Sequence, residues 1–425
     1  MKHNLRTWSW VLSANFSEGV PYTIVNVLLV NLLKDMGCSN GVSAMIPSLL
    51  ALPWMWKFLW SPLVDTHSTK RRWMLAMQAL MAIVFAGIAL SLSTDWWLQA
   101  VIICSALAAL ASATYDVSCD GYYMLVLPPA EQAFFVGIRS TAYRLGMLFG
   151  SGALVILAKD GSPEAWQLTF TVAAALLLVL AVAHKFLLPK ENQQRLDFSP
   201  THSEEQAVTR SFKEVFHSFI QLHPWKELLF IFCFILFYRL GEAFLGKVSI
   251  LFLKDSIEHG GIGLDNEQYG FVYGTFGTLS LIIGGILGGI CISHWGLRKC
   301  LIPMSLALNL PDLLYVWLAS PSFISSASTN LYLIGTCVSI EQFGYGFGLS
   351  AFIIYLLECA KGPYQTSHYA FLTALMAFGL LIPSTLSGYI QEAFQSYYLY
   401  FILACVLTLP GIALSFFYVY RHRKA

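Results

Sequence analysis

Twelve stretches of the chain stay mainly apolar for about twenty residues or more, and this feature limits the fold more than any other. They lie near 8–34, 40–64, 72–92, 96–126, 131–158, 165–188, 227–254, 267–293, 299–319, 328–358, 363–390 and 396–420. In hydrocarbon every backbone polar group must find its partner within the protein, so each run reads as a helix crossing a bilayer. Several exceed the minimum length, which implies tilt or extension into water. Composition agrees: of 425 residues, 57% are hydrophobic and only 12% are charged. A soluble domain carries about a quarter charged residues. The expected class is an all-α membrane protein with 12 transmembrane helices. Net charge is +1, so no global field argues for nucleic acid. The nine Cys lie mostly inside apolar runs, with no C-x-x-C pair, and read as small buried hydrophobes. No metal site and no bound cofactor are expected. The opening "MKHNLRTWSW" leads into a long apolar run without a cleavage-type boundary, so that run is expected to remain as a span.

Lys and Arg set the orientation. With the N-terminus in the cytoplasm and the spans alternating, 17 of the 25 basic residues fall in cytoplasmic segments. Lys34, Lys159 and Lys254 fall in segments on the other side, and the remaining five lie within spans. Both termini are therefore expected in the cytoplasm. One long polar segment, 189–224, divides the chain into an N-terminal bundle, 1–188, and a C-terminal bundle, 225–425, of six spans each. Within the segment, Phe212, Val215, Phe216, Phe219 and Ile220 recur at helical spacing on one stripe. This predicts an amphipathic helix on the cytoplasmic interface, with docking against protein as the alternative.

An internal repeat supports the six-plus-six division. "SPLVDTHSTKRRWML" follows the second span and "GGICISHWGLRKCLIPM" follows the eighth. The first resembles the loop motif G-x-L-a-D-R-x-G-R-[RK] of the major facilitator superfamily. Ser61 stands for the leading Gly, Asp65 is kept, and Lys70, Arg71 and Arg72 supply the basic cluster. The resemblance implies two six-helix halves around a site at mid-membrane.

Further stretches narrow the resemblance. "ALPWMWKFLWSPLVD", "ASATYDVSCDGYY", "YRLGMLFGSGALVILA", "ILFYRLGEAFLG" and "EQFGYGFGLSAFIIYLLE" resemble, in order, the signatures of AmpG-type muropeptide permeases. These belong, with acetyl-CoA transporters, to one branch of the superfamily. Their resemblance implies proton-driven import of N-acetylglucosamine–anhydro-muramyl saccharide, with or without peptide, across a bacterial inner membrane for peptidoglycan recycling. It implies no catalysis, a proton gradient in place of a cofactor, and a monomer. The chain departs from the pattern at Tyr115 for Gln, Tyr123 for Arg, Glu242 for Asp, and Glu18 for a small or hydroxylated residue. Those departures leave acetyl-CoA, peptide or siderophore cargo open. A non-transporting sensor is a further alternative.

Ionisable residues inside spans cost several kcal/mol and face partners or a cavity. Asp116 and Asp120 are one helical turn apart on one face. Proton coupling, a gating ion pair and direct substrate contact all remain open for them. Arg139 is the better candidate to pair with an aspartate, and Arg144 to hold a substrate carboxylate. By the resemblance, Asp65 approaches the start of the eleventh span, near Gly362 and Pro363, as an inner gate. Arg239 and Glu242 are spaced to neutralise each other, which would leave Lys247 free for an anionic group. Glu18, Tyr22 and Asn26 form a polar stripe in the first span. Tyr143, Glu341, Gln342, Tyr345 and Lys57 add polar groups elsewhere. Trp54 and Trp56 read either as platforms for a sugar face or as interface anchors. Together these groups are expected to line a chamber that reads a saccharide.

Overall fold

The computed structural model describes residues 5–66, 68–190, 217–325, 330–361 and 365–421. Regular structure among them is entirely helical. The first six long helices are α1 (Leu5–Asp35), α2 (residues 40–66), α3 (Lys70–Ser91), α4 (Trp97–Val126), α5 (residues 129–157) and α6 (Pro163–Leu187). After the segment around 189–216 follow α7 (Trp225–Lys254), α8 (Asn266–Trp295), α9 (Leu297–Leu318), α10 (Leu331–Cys359), α11 (Gln365–Phe394) and α12 (Tyr397–Arg421). Eleven of these carry a window apolar enough to cross a membrane. The exception is α2, which breaks into Asn40–Leu50, Leu52–Trp56, Lys57–Leu59 and Ser61–Thr66. Pro47, Pro53 and Pro62 account for that: each removes a backbone donor and crowds the preceding turn.

The chain forms two compact units. One comprises Met1–Ser39, Ile46–Ser199 and Asp265–Thr275; the other comprises Asn40–Met45, Pro200–Leu264 and Phe276–Ala425. The division between the units thus runs through α2 and α8 as well as between α6 and α7.

Side chains such as Leu90 (80% exposed), Phe186 (72%) and Val179 (64%) project outward from apolar helices. Water would not tolerate so continuous an apolar surface, whereas lipid does. The interiors are knit by small residues. In the first unit a Cβ on Gly19 would lie 2.1 Å from the Tyr143 carbonyl oxygen, and one on Gly146 2.4 Å from that of Phe16. In the second, a Cβ on Gly284 would lie 2.2 Å from the Phe343 carbonyl oxygen. Between helices in lipid, such close approach supplies the dispersion contact that drives packing. Gly289, at the equivalent spacing one residue round, faces open space. Gly19→Val is therefore expected to lose about 3 kcal/mol or more, because the obstructing atom is backbone and cannot swing away. Gly289→Ala should stay within about 0.5 kcal/mol of wild type. Thermal unfolding of the two purified variants in detergent checks both.

The second unit's core stacks Tyr238 on Phe352, centroids 5.0 Å apart at 3°, with Phe234 and Tyr355 beside them. Phe219 belongs to this core, packed against His368 and Phe371. Of the stripe expected to lie on the membrane interface, Phe219 is thus buried in protein and Ile220 is exposed. Phe212, Val215 and Phe216 lie outside the described residues.

The internal repeat shows at two helix junctions. Asp35, closing α1, accepts from Asn266 Nδ2 at 2.6 Å and from Trp166 Nε1 at 3.1 Å, all within the first unit. Asp255, following α7, accepts from Asn40 Nδ2 at 3.2 Å and from the Tyr397 hydroxyl, all within the second. Asn40 and Asn266 open the equivalent helices α2 and α8.

Candidate functional site

In the first unit the charged residues of four helices meet. Near its last break α2 presents Lys57, which forms an ion pair with Asp116 of α4. From α1, Glu18 is an electrostatic neighbour of the same carboxyl. Two neighbouring carboxyl groups relieve their repulsion when one of them carries a proton, so this pair is a place to keep one. The second oxygen of Glu18, Oε2, is buried with no hydrogen-bond partner. One turn along α4, Asp120 pairs with Arg139 of α5. Arg139 also donates through Nε to Asn15 Oδ1 at 3.0 Å and lies over the Tyr123 ring, 4.6 Å from its centroid.

Aromatic groups continue the cluster. Tyr22 sets its ring edge-on to Trp54 at 5.2 Å, and lies 6.2 Å from Tyr143. Trp54 is half-buried, whereas Trp56 is 52% exposed. Asn26 lies in a five-residue π-helical turn, Ile24–Leu28, and donates to the Tyr22 carbonyl at 2.9 Å. Arg144 is half-buried on α5. The Asp65 side chain, Gly362 and Pro363 lie outside the described residues, and the expected inner gate with them.

The second unit holds its own cluster. Helix α7 breaks at Tyr238–Arg239, where Arg239 leaves helical geometry at φ −112° and ψ 17°. There Arg239 pairs with Glu242 at 3.0 Å and donates to the Tyr345 hydroxyl at 2.6 Å. Glu341 and Gln342 of α10 are both buried, the Gln342 amide donating to Glu341 Oε2 at 2.9 Å.

One expectation changes. Lys247 is not free: it has Glu242, five residues away on the same helix, as an electrostatic neighbour. Lys57 forms an ion pair with Asp116, on another helix that sequence spacing does not relate to it. Several groups escaped the sequence reading. Asn15, one turn before Glu18, orients Arg139. His184 is fully buried in α6 between Ser13 Oγ at 2.8 Å and Gln78. Asp312, in "NLPDLLYVW", is buried in α9 just after the helix breaks at Leu310–Pro311. Its signal was present: an acid behind a proline, inside an apolar run.

The comparisons with known proteins agree with this architecture. The sequence model of the Major Facilitator Superfamily matches residues 11–340. An anhydromuropeptide permease of Escherichia coli (strain K12) is 30% identical over 376 residues, covering 86% of this chain and 70% of that protein. A relative in Rickettsia conorii that carries the name AmpG 4 is 25% identical over 414 residues, covering 93% and 92%. Among solved structures, a D-xylose–proton symporter superposes with a TM-score of 0.70 at 11% identity, over 96% of each chain. A nucleoside transporter does so with a TM-score of 0.70 at 12% identity, over 99% of this chain and 100% of the other.

Proposed function

The chain belongs to the Major Facilitator Superfamily and is a multi-pass membrane transporter of AmpG type; from that premise we propose that it imports a muropeptide-like saccharide together with protons. The cargo is carried over from the permease that shares 30% identity across 86% of this chain. What carries the coupling is the contact of Glu18 with Asp116, beside Lys57. Lys57 forms an ion pair with Asp116, and Glu18 is the further acid beside that pair, so the cluster can hold a proton without a second cation. Entry of cargo or rearrangement of α2 alters that balance and releases the proton.

Around it, Tyr22, Trp54 and Tyr143 offer ring faces and hydroxyls of the kind a sugar ring packs against. Asp120 and Arg139 serve as the gating pair, held by Asn15 and Tyr123. Tyr123 stands where the AmpG pattern has Arg, and it supports an arginine supplied by α5 instead. The reading includes a bacterial inner membrane, with both termini cytoplasmic on the distribution of Lys and Arg, and a monomer acting alone.

Uptake of labelled N-acetylglucosamine–anhydro-muramyl saccharide into vesicles, with and without an inward proton gradient, tests it. The expected result is accumulation that requires the gradient. Equal uptake in both conditions overturns coupling. Absence of uptake, with another solute of the branch accumulated, overturns the cargo.

A further inference from the structure

The acids outside the first unit include one with no evident structural task. Asp312 is 2% exposed, and its Oδ2 atom is buried without a hydrogen-bond partner. A carboxylate that carries charge in such a place forfeits its hydration with nothing in return. A carboxyl that carries a proton avoids that cost.

The groups that face it are themselves acidic or neutral. Glu341, from α10, is 3% exposed and is an electrostatic neighbour of Asp312. Glu242, from α7, is a second neighbour. Cys405, from α12, is close enough to sense the charge of Asp312. The two cations within the spans of this unit have Glu242 as a neighbour: Arg239 pairs with it, and Lys247 also senses it. Glu341 has the Gln342 amide on Oε2. Two buried acids thus lie as electrostatic neighbours on α9 and α10, one of them holding an orphaned oxygen, with Tyr315 of α9 a further neighbour of Glu341.

We propose that Asp312 and Glu341 form a second proton-binding site, in the C-terminal half, that loads and unloads during each transport cycle. The proposal rests on the transport reading above and extends it. Protons bind at Asp116 with Glu18 in one half and at Asp312 with Glu341 in the other. The site needs no counter-cation, since its ligand is the proton itself. The break at Leu310–Pro311 is what brings the carboxyl into position, because it ends one helical segment and starts the next at Asp312. The proton forms an O–H bond on one carboxyl and is given up as that bond breaks. No other group is oxidised, reduced or transferred.

Two measurements on the full-length protein test this. The first needs no cargo: infrared difference spectra of the reconstituted protein between acidic and alkaline buffer. A protonated-carboxyl band that titrates in wild type and disappears in Asp312→Asn is the expected result. A band unchanged in Asp312→Asn overturns the proposal, as does its absence from wild type. The second compares gradient-driven accumulation with counterflow, in Asp312→Asn and in Glu341→Gln. Supporting behaviour is retained counterflow with accumulation reduced to the level seen without a gradient, in at least one of the two variants. Undiminished accumulation in both overturns the proposal. Loss of counterflow in both does so too, assigning the pair to structure. Were wild type not to transport the muropeptide at all, the cargo reading would fail while the spectra still decide the proton site.

Discussion

Lys57→Met is expected to lower stability by about 2–3 kcal/mol and to abolish gradient-driven uptake, and adding Asp116→Asn to restore most of the stability but none of the uptake. Removing one partner of a buried ion pair leaves the other uncompensated, which costs about 3–5 kcal/mol when burial is complete. Here the Asp116 side chain is 12% exposed and Lys57 34%, so part of the charge reaches solvent and the figure falls. The single variant also crowds three acids, Glu18, Asp116 and Asp120, with Arg139 as their remaining basic neighbour in the cluster. In the double variant the unpaired carboxylate is gone, but so is the acid proposed to share a proton with Glu18. Thermal unfolding in detergent and uptake into vesicles give the two readouts. A double variant no more stable than Lys57→Met would mean the pair carries no folding energy. A double variant that still accumulates cargo against its gradient would remove Asp116 from coupling.

The spans were legible because hydropathy and length act on each helix separately. Apolar runs fixed the helices to within a few residues, and the broken α2 follows from prolines visible in the sequence. The resemblance also marked most of the charged rows, since Asp116, Asp120, Arg239 and Glu242 all sit in quoted motifs; Arg139 lies just outside them. Pairing was less legible. Arg239 with Glu242 is local, three residues apart on one helix, and the spacing predicted it. Lys57 with Asp116 spans 59 residues, and nothing periodic relates them. Helix breaks add a second difficulty. Once α2 unwinds near Lys57, or α9 near Asp312, the 100° step per residue no longer reports which way a side chain points. Asn15 illustrates a third: an amide on a helix reads as a self-capping residue, and it does bond back to Val11 at 2.8 Å. Its oxygen nevertheless serves Arg139 from another helix.

In the second half the acid matters more than the base. Glu242→Gln is expected to cost more than Arg239→Met, by about 2 kcal/mol, although the two residues form one ion pair. The asymmetry comes from Lys247, which also has Glu242 as its electrostatic neighbour. Substituting Arg239 leaves Glu242 with Lys247 still to neutralise it, and the Tyr345 hydroxyl loses one donor at 2.6 Å. Substituting Glu242 takes away the carboxylate that both cations sense, with Arg239 only 6% exposed. Glutamine keeps the shape and a carbonyl acceptor, so the difference reports charge and not packing. The C-terminal bundle then has a guanidinium and an ammonium to accommodate in a low-dielectric interior without that carboxylate, a situation that membrane helices resolve by rearranging or failing to assemble. Thermal unfolding of the two variants, measured side by side in detergent, gives the order. If Arg239→Met proves the less stable, Lys247 does not substitute for Arg239. The break in α7 would then be held by Arg239, through contacts that include Glu242 and Tyr345.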